Sequence, residues 1–216
     1  PPEPAPANWL VNPNRPDSTY PFPHLAGSGL AFKVAQGILD GHPRRREILA
    51  ELSVLAMIGG VADMVPIADE FRVIVRTALR VLNGAASVPP GISALLARAR
   101  AEGPHRVDVV GFTLAPRINA AGRVGDARPA LELLTCEDPL EALRLAEELE
   151  QSNEQRKAIA RDALVDARNL LGAGDTAADE GRAMIGDGLV AVRGPWLPGV
   201  LGLVAGRLAD EYGRPA

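Results

Sequence analysis

The sequence predicts an α/β protein that is predominantly helical, and three observations carry that prediction. Apolar residues make up 47% of the chain but aromatic ones only 4%, which points to a core of Ala, Leu and Val rather than of large rings. From Asp138 to about Leu171 no proline or glycine follows Pro139 at its start, so one long helix is expected there. Ala183–Ile185 and Leu189–Val192 flank Gly186-Asp187-Gly188, the pattern of a short hairpin. With 216 residues, the chain can hold one large or two small domains.

The elements follow in chain order. Pro1-Pro2-Glu3-Pro4-Ala5-Pro6 reads as a linker or crossover, Trp9-Leu10-Val11 as a short strand, and the turn cluster Asn12-Pro13-Asn14-Arg15-Pro16-Asp17 opens irregular structure that runs to about Pro23. Leu30, Phe32, Val34, Ala35, Ile38 and Leu39 have the spacing of an amphipathic helix that begins at Gly29 and ends at Gly41. Glu47 to Ile58 reads as a more deeply buried helix stopped by Gly59 and Gly60. Phe71, Val73, Ile74, Val75, Leu79 and Leu82 mark the buried face of the next, with Arg72, Arg76 and Arg80 as a solvated stripe four residues apart. Pro89 and Pro90 open a short helix through Leu96, and Asp126 is placed to cap a helix starting near Ala127.

The long helix has an uneven pattern. Leu140, Leu143, Leu145 and Leu149 bury its first part and Ile159, Leu164, Leu170 and Leu171 its last, while Glu150 to Lys157 is almost wholly polar. A polar centre between apolar ends suits a helix that crosses solvent between two domains, although an edge helix on one domain fits as well. Gly172 to Gly181 reads as an acidic hinge of small residues. Beyond the hairpin, Trp196 to Arg207 leads into a helix in which Gly199 and Gly202 allow close packing and whose N-terminus could receive a phosphate.

Charge and cysteine usage narrow the function. A net charge of −4 excludes bulk electrostatic wrapping by nucleic acid and requires any phosphate binding to be focused. The single cysteine, Cys136, allows no intrachain disulfide and reads as a small buried residue, in keeping with a reducing cytoplasm. No apolar run is long enough for a membrane span, and the first residues lack the charge-then-apolar order of a signal peptide.

Two stretches carry chemistry. In Pro116-Arg117-Ile118-Asn119-Ala120-Ala121-Gly122-Arg123, two arginines flank an asparagine and residues too small to block a ligand. Guanidinium forks match phosphate oxygens, and small residues allow a nucleic-acid backbone to approach; the alternative is that Gly122 ends a helix, the arginines are solvated and Asn119 sits in a turn. In Val61-Ala62-Asp63-Met64-Val65-Pro66 an aspartate stands among apolar residues. A carboxylate so placed calls for a partner, and a hard divalent ion is one; capping of a following turn is the other reading.

These pieces together resemble one family, the RecJ-type single-stranded-DNA exonucleases of the DHH phosphoesterase superfamily. Val11-Asn12-Pro13, Tyr20-Pro21-Phe22, Leu25-Ala26-Gly27, Ala31-Phe32-Lys33, Val61 to Pro66, Pro116 to Arg123 and Trp196 to Arg207 carry the resemblance in order, over nearly the whole chain. It implies that residues 1–136 are the C-terminal part of a DHH catalytic domain, 137–172 an interdomain linker helix and 173–216 the start of a smaller DHH-associated α/β domain.

The resemblance also implies two-metal hydrolysis of phosphodiester bonds with Mn2+ or Mg2+, working 5′ to 3′ on single-stranded DNA in recombination and repair, with other repair proteins as partners. Asp63 would be a metal ligand. Arg117, Asn119 and Arg123 would be catalytic by holding or polarising the phosphate, and Arg117, Arg123, Trp196, Gly199 and Arg207 would bind substrate.

Two departures stand out. The remaining aspartate motifs and the Asp-His-His signature are absent and are not replaced by His24, His42 or His105, so the segment alone is expected not to cleave DNA. Leu197 occupies the histidine position of the family's W-H-P-G motif. Other superfamily chemistries, on short oligonucleotides or cyclic dinucleotides, and a noncatalytic DNA-binding scaffold are the alternatives.

Overall fold

In the computed structural model, which describes residues 7–172, 183–186 and 188–216, the chain becomes helical only at Gly27. Trp9-Leu10-Val11 forms no strand: the described residues contain no partner strand for it, and Trp9 stays 91% exposed. Unpaired, three residues cannot satisfy their backbone groups as a strand. The proline-rich start and residues 173–181 of the expected hinge lie outside the described residues.

The described residues divide into two compact units: residues up to Pro116 with Cys136–Leu143, and Arg117–Thr135 with Arg144–Ala216. In the first, α2 (Arg45–Ala62) packs against α1 (Gly27–Ile38) and α3 (Asp69–Arg80). Val54, Met57, Phe71, Ile92, Leu95, Val110 and Leu114 are fully enclosed. Burying side chains of this size contributes about 1.5–3 kcal/mol each before conformational entropy is subtracted.

Contrary to the sequence expectation, Gly59 and Gly60 do not stop α2 but lie within it. The helix approaches its neighbours so closely there that a Cβ on Gly59 would strike Ser28 and one on Gly60 the ring of Phe71. Tertiary packing outweighs the roughly 1 kcal/mol that glycine costs a helix. Of the predicted buried face of α3, Val73 is 64% exposed, whereas Phe71, Ile74, Val75 and Leu82 are buried; the arginine stripe is exposed as expected.

After α3 a π-helical turn, Val81–Ala85, leads out of the helix through Gly84 at φ +93°, a conformation that favours glycine. Asn83 in this turn closes a long loop. Its Nδ2 donates to the carbonyls of Leu79 (2.7 Å) and His105 (3.0 Å), and its Oδ1 accepts from the His105 N–H (2.7 Å). The side-chain amide thus pairs with the His105 backbone as a neighbouring strand would. Helix α4 (Pro90–Arg98) lies within this loop, with Pro at its start as predicted. Helix α5 (Val107–Val109) then continues through a π-helical turn, Val110–Leu114, into α6 (Ala115–Val124), and α7 (Arg128–Thr135) follows.

The second unit is organised on α8 (Pro139–Gly172) from Arg144 onward, the 34-residue helix expected from the sequence. Strands β1 (Ala183–Ile185) and β2 (Val190–Val192) pair antiparallel, as the hairpin pattern predicted, although Asp187 lies outside the described residues. Helix α9 (Pro198–Tyr212) follows. Ala163, Ala167, Leu171, Val190, Val204 and Leu208 form the shared core, with Trp196 and Tyr212 packed on it. The free edge of β2 accepts the tail, since Val190 N–H donates to Pro215 O at 2.8 Å.

Two expectations about α8 are overturned. Leu140 and Leu143 are 76% and 52% exposed rather than buried. Glu150 and Asn153, read as solvent-crossing, are buried at 9% and 1% exposure. Each is satisfied by an arginine, the condition under which polar groups leave water. No described helix is long and apolar enough to cross a membrane.

Candidate functional site

Residues Pro116–Arg123 form most of helix α6 (Ala115–Val124), not a loop. Ala115 and Pro116 follow directly on the π-helical turn Val110–Leu114, and Ala120 and Ala121 are strong helix formers that are also buried. Gly122 sits inside the last turn rather than ending the helix. Helical spacing puts the two arginines about 120° apart around the axis, so they do different work.

Arg117 is largely buried and forms a bidentate pair with Glu150 of α8, Nε donating to Oε2 at 2.5 Å and Nη2 to Oε1 at 3.2 Å. Its fork is engaged by a carboxylate of the same unit. Arg123 is exposed, and its Nη1 donates to the Gly199 carbonyl at 3.0 Å. Gly199 belongs to the first turn of α9, and a Cβ there would strike the backbone carbonyl of Arg123, so only glycine allows this approach. Gly199 therefore serves packing as expected; Gly202 does not, having open space where its Cβ would be. Asn119 is exposed on α6 and Arg207 on α9.

Trp196 precedes α9, and its indole Nε1 donates to Asp166 Oδ2 on α8 at 2.9 Å. Leu197 is the N-cap residue of α9 and supplies no side-chain cap. Asp126 behaves as predicted, accepting from the Arg128 N–H at 2.9 Å. Cys136 is partly exposed, its thiol against the Asp138 carbonyl at 3.2 Å.

Asp63 lies in the first unit, as the C-cap residue of α2, with its N–H donating to Gly59 O at 3.0 Å. The expected removal of its carboxylate from water does not occur: Asp63 is exposed, and Met64 after it, in the left-handed region at φ 55°, is 88% exposed. Backbone capping turns the side chain of Asp63 outward despite its apolar neighbours in sequence. Among the described residues no group of three or more His, Cys, Asp or Glu could hold a metal ion.

Sequence reasoning missed Glu150, Asn153 and Arg156. Arg156 Nη2 donates to Asn153 Oδ1 at 3.0 Å. Their three-residue spacing, which places them along one side of a helix, was the available signal within a run that otherwise looked solvated. A second network joins two of the sequence motifs in the first unit: Tyr20 Oη donates to Glu70 at 2.5 Å, and Lys33 Nζ lies 3.2 Å from the same carboxylate. Burial and the adjacent Glu70 push the Tyr20 hydroxyl up; for Lys33, burial acts downward but is outweighed by Glu70 and Tyr20, leaving the ammonium raised.

No protein-family model matches the chain. The single-stranded-DNA-specific exonuclease RecJ of Bacillus subtilis is 37% identical over 208 residues, 96% of this chain and 24% of that protein. The RecJ of Escherichia coli is 33% identical over 219 residues, 97% of this chain and 37% of its own length. The chain thus spans well under half of the relatives it matches. The crystal structure of RecJ in complex with Mn2+ from Thermus thermophilus superposes with a TM-score of 0.72 at 31% identity, covering 93% of this chain and 28% of that one. The Mg2+ complex gives a TM-score of 0.70 at the same identity. The family resemblance read from the motifs is met by these relatives and structures.

Proposed function

We infer that the chain is a segment of a RecJ-type single-stranded-DNA-specific exonuclease, and that its share of the work is to hold the phosphate backbone of the substrate. The observation that carries this reading is the joint between α6 and α9, where Arg123 meets the backbone of Gly199. Both residues belong to motifs that match the family, and the match to exonuclease relatives runs through 96% of the chain. In this reading residues 1–136 are the C-terminal part of the catalytic domain, 137–172 the linker helix and 173–216 the start of the associated domain. The complete protein hydrolyses phosphodiester bonds 5′ to 3′ in the cytoplasm, in DNA recombination and repair.

Metal chemistry in such an enzyme would lower the barrier by neutralising charge on the phosphate, and the solved relatives hold Mn2+ or Mg2+. The described residues do not fit a complete metal centre, because Asp63 offers one exposed carboxylate and no cluster of three candidate ligands accompanies it. Asp63 fits the narrower role of a single ligand. The remaining functional residues act on the substrate itself: Arg123 and Asn119 present donors from the exposed side of α6, and Arg207 adds a cation on α9. Arg117, tied to Glu150, fixes α6 against α8.

The test is Asp63→Ala in the complete parent protein. Cleavage of 5′-labelled single-stranded DNA in Mn2+ is expected to fall by at least about a hundredfold, while binding measured without metal is unchanged, since a ligand rather than a phosphate contact is removed. Parental cleavage by the variant would refute the role of Asp63. Faster turnover of dinucleotides than of long strands by the parent would refute the substrate.

A further inference from the structure

Helices α1, α2 and α3 of the first unit line a cavity of about 350 Å³, a size within the roughly 300–1,000 Å³ of small-molecule pockets. None of Asp63, Arg117, Asn119 or Arg123 lines it. Phe32 and Ile74, 8% and 6% exposed, and the more open Leu49 and Val73 give it apolar walls. Val73, expected in the core and found 64% exposed, therefore lines a concave surface rather than standing alone in solvent.

Three polar side chains on the same cavity have donors that the fold does not use. Arg45 Nε is buried with no hydrogen-bond partner, and Arg45 Nη2 makes only a long contact of 3.5 Å to the Gln36 carbonyl. Arg46 and the Gln36 carboxamide make no side-chain hydrogen bond or ion pair among the described residues. Both arginines stand in the first turn of α2, the end at which a helix's own dipole disfavours cations. Glu47 of that turn is engaged with Arg44, and neither residue lines the cavity. Glu70, the acid that does line it, is already met by Lys33 at 3.2 Å and by the Tyr20 hydroxyl. Arg45 and Arg46 are thus left without a counter-charge beside apolar walls, where an anion would engage their idle donors.

Apolar walls, a free carboxamide and two guanidinium forks together select a ligand with a flat apolar body, a hydrogen-bonding edge and an anionic head. Resting on the reading of the parent as an exonuclease, which releases nucleotides one at a time from a strand, we propose that this cavity binds a free nucleoside monophosphate. Its base lies against the apolar walls beside Gln36, and its phosphate sits on Arg45 and Arg46. A cavity of this size takes one nucleotide, so the ligand is the released unit and not the strand.

The experiment is equilibrium dialysis of labelled dTMP against the complete parent protein without metal, for the wild type, Arg45→Gln, Arg46→Gln and Gln36→Ala, each checked for folding by circular dichroism. Loss of a charge-assisted contact is expected to weaken binding about tenfold or more for either arginine, and loss of the neutral one at Gln36 about two- to tenfold. Arg46 is exposed and unpaired in the fold, so its variant keeps the test decisive if Arg45→Gln does not fold. Excess oligo-dT is expected to leave the bound dTMP in place; its displacement would assign the cavity to the strand and overturn the proposal. Equal dTMP affinity in Arg46→Gln and wild type, or no binding by the wild type, also overturns it. Inorganic phosphate supplies a further arm: phosphate binding as tight as that of dTMP, and lost in the same variants, would leave the apolar walls idle and overturn the nucleotide assignment. If the parent does not cleave single-stranded DNA but binds dTMP through the two arginines, the cavity stands and the exonuclease reading falls. If it cleaves the strand and all four proteins bind dTMP alike, the cavity falls and the exonuclease reading stands.

Discussion

Glu150 and Arg117 illustrate how a side chain that looks solvated in sequence becomes part of the interior. Their side chains are 11% and 14% exposed, and each makes sense only with the other in place. Removing one partner strands a charge in a poorly solvated site, which typically costs about 3–5 kcal/mol. Glu150→Gln is therefore expected to lower the stability of the second unit by about 3 kcal/mol in urea melts followed by Trp196 fluorescence in a Trp9→Phe background. A loss within a few tenths of a kcal/mol would mean that Arg117 finds other compensation. The sequence marked Arg117 and Arg123 as one kind of residue, and only the fold separates them. Composition alone does not say which of two arginines will meet an acid 33 positions later in the chain.

At the scale of elements, helix α8 was legible almost to the residue, because the absence of internal Pro and Gly sets helix limits without tertiary help. The end of α2 was not. Gly59 and Gly60 have the local character of a stop, but the space they leave is filled by Ser28 and Phe71, which lie far away in sequence. Gly60→Ala would drive a methyl into the fully enclosed Phe71 ring, so it is expected to destabilise the first unit by about 1–3 kcal/mol despite the better helix propensity of alanine. A gain in melting temperature would show that propensity dominates there. Trp9-Leu10-Val11 and α6 failed for a related reason. A strand needs a partner that three residues cannot announce, and a motif rich in small residues and arginine reads equally well as a loop or as a helix.

At the scale of the whole molecule, the two units carry different liabilities. In the first, Tyr20, Lys33 and Glu70 join the N-terminal irregular segment to α1 and α3. The protons of Tyr20 and Lys33 are both held more tightly in the folded state than their ordinary values of 10.0 and 10.5. Raised values mean that this stability is fully present below about pH 10 and is lost as pH rises through the higher folded-state values. Thermal melts followed by circular dichroism should drop on raising the pH above 10, and Tyr20→Phe, which removes one of the two titrations, should flatten the decline. An identical pH profile in the variant would detach the network from stability.

The clamp at Asn83 also bears on how the protein ages. Asparagine followed by glycine is the pair most prone to lose its amide, because the glycine nitrogen can attack the side-chain carbonyl when both are free to rotate. Here the carboxamide of Asn83 is pinned by three hydrogen bonds to Leu79 and His105, and Gly84 is fixed at φ +93°. The same dipeptide that would act as a clock in an unfolded chain is stopped in the folded one. Once that amide is converted to a carboxylate it can no longer donate to His105, so chemical wear at this one position and the opening of the loop it holds would advance together.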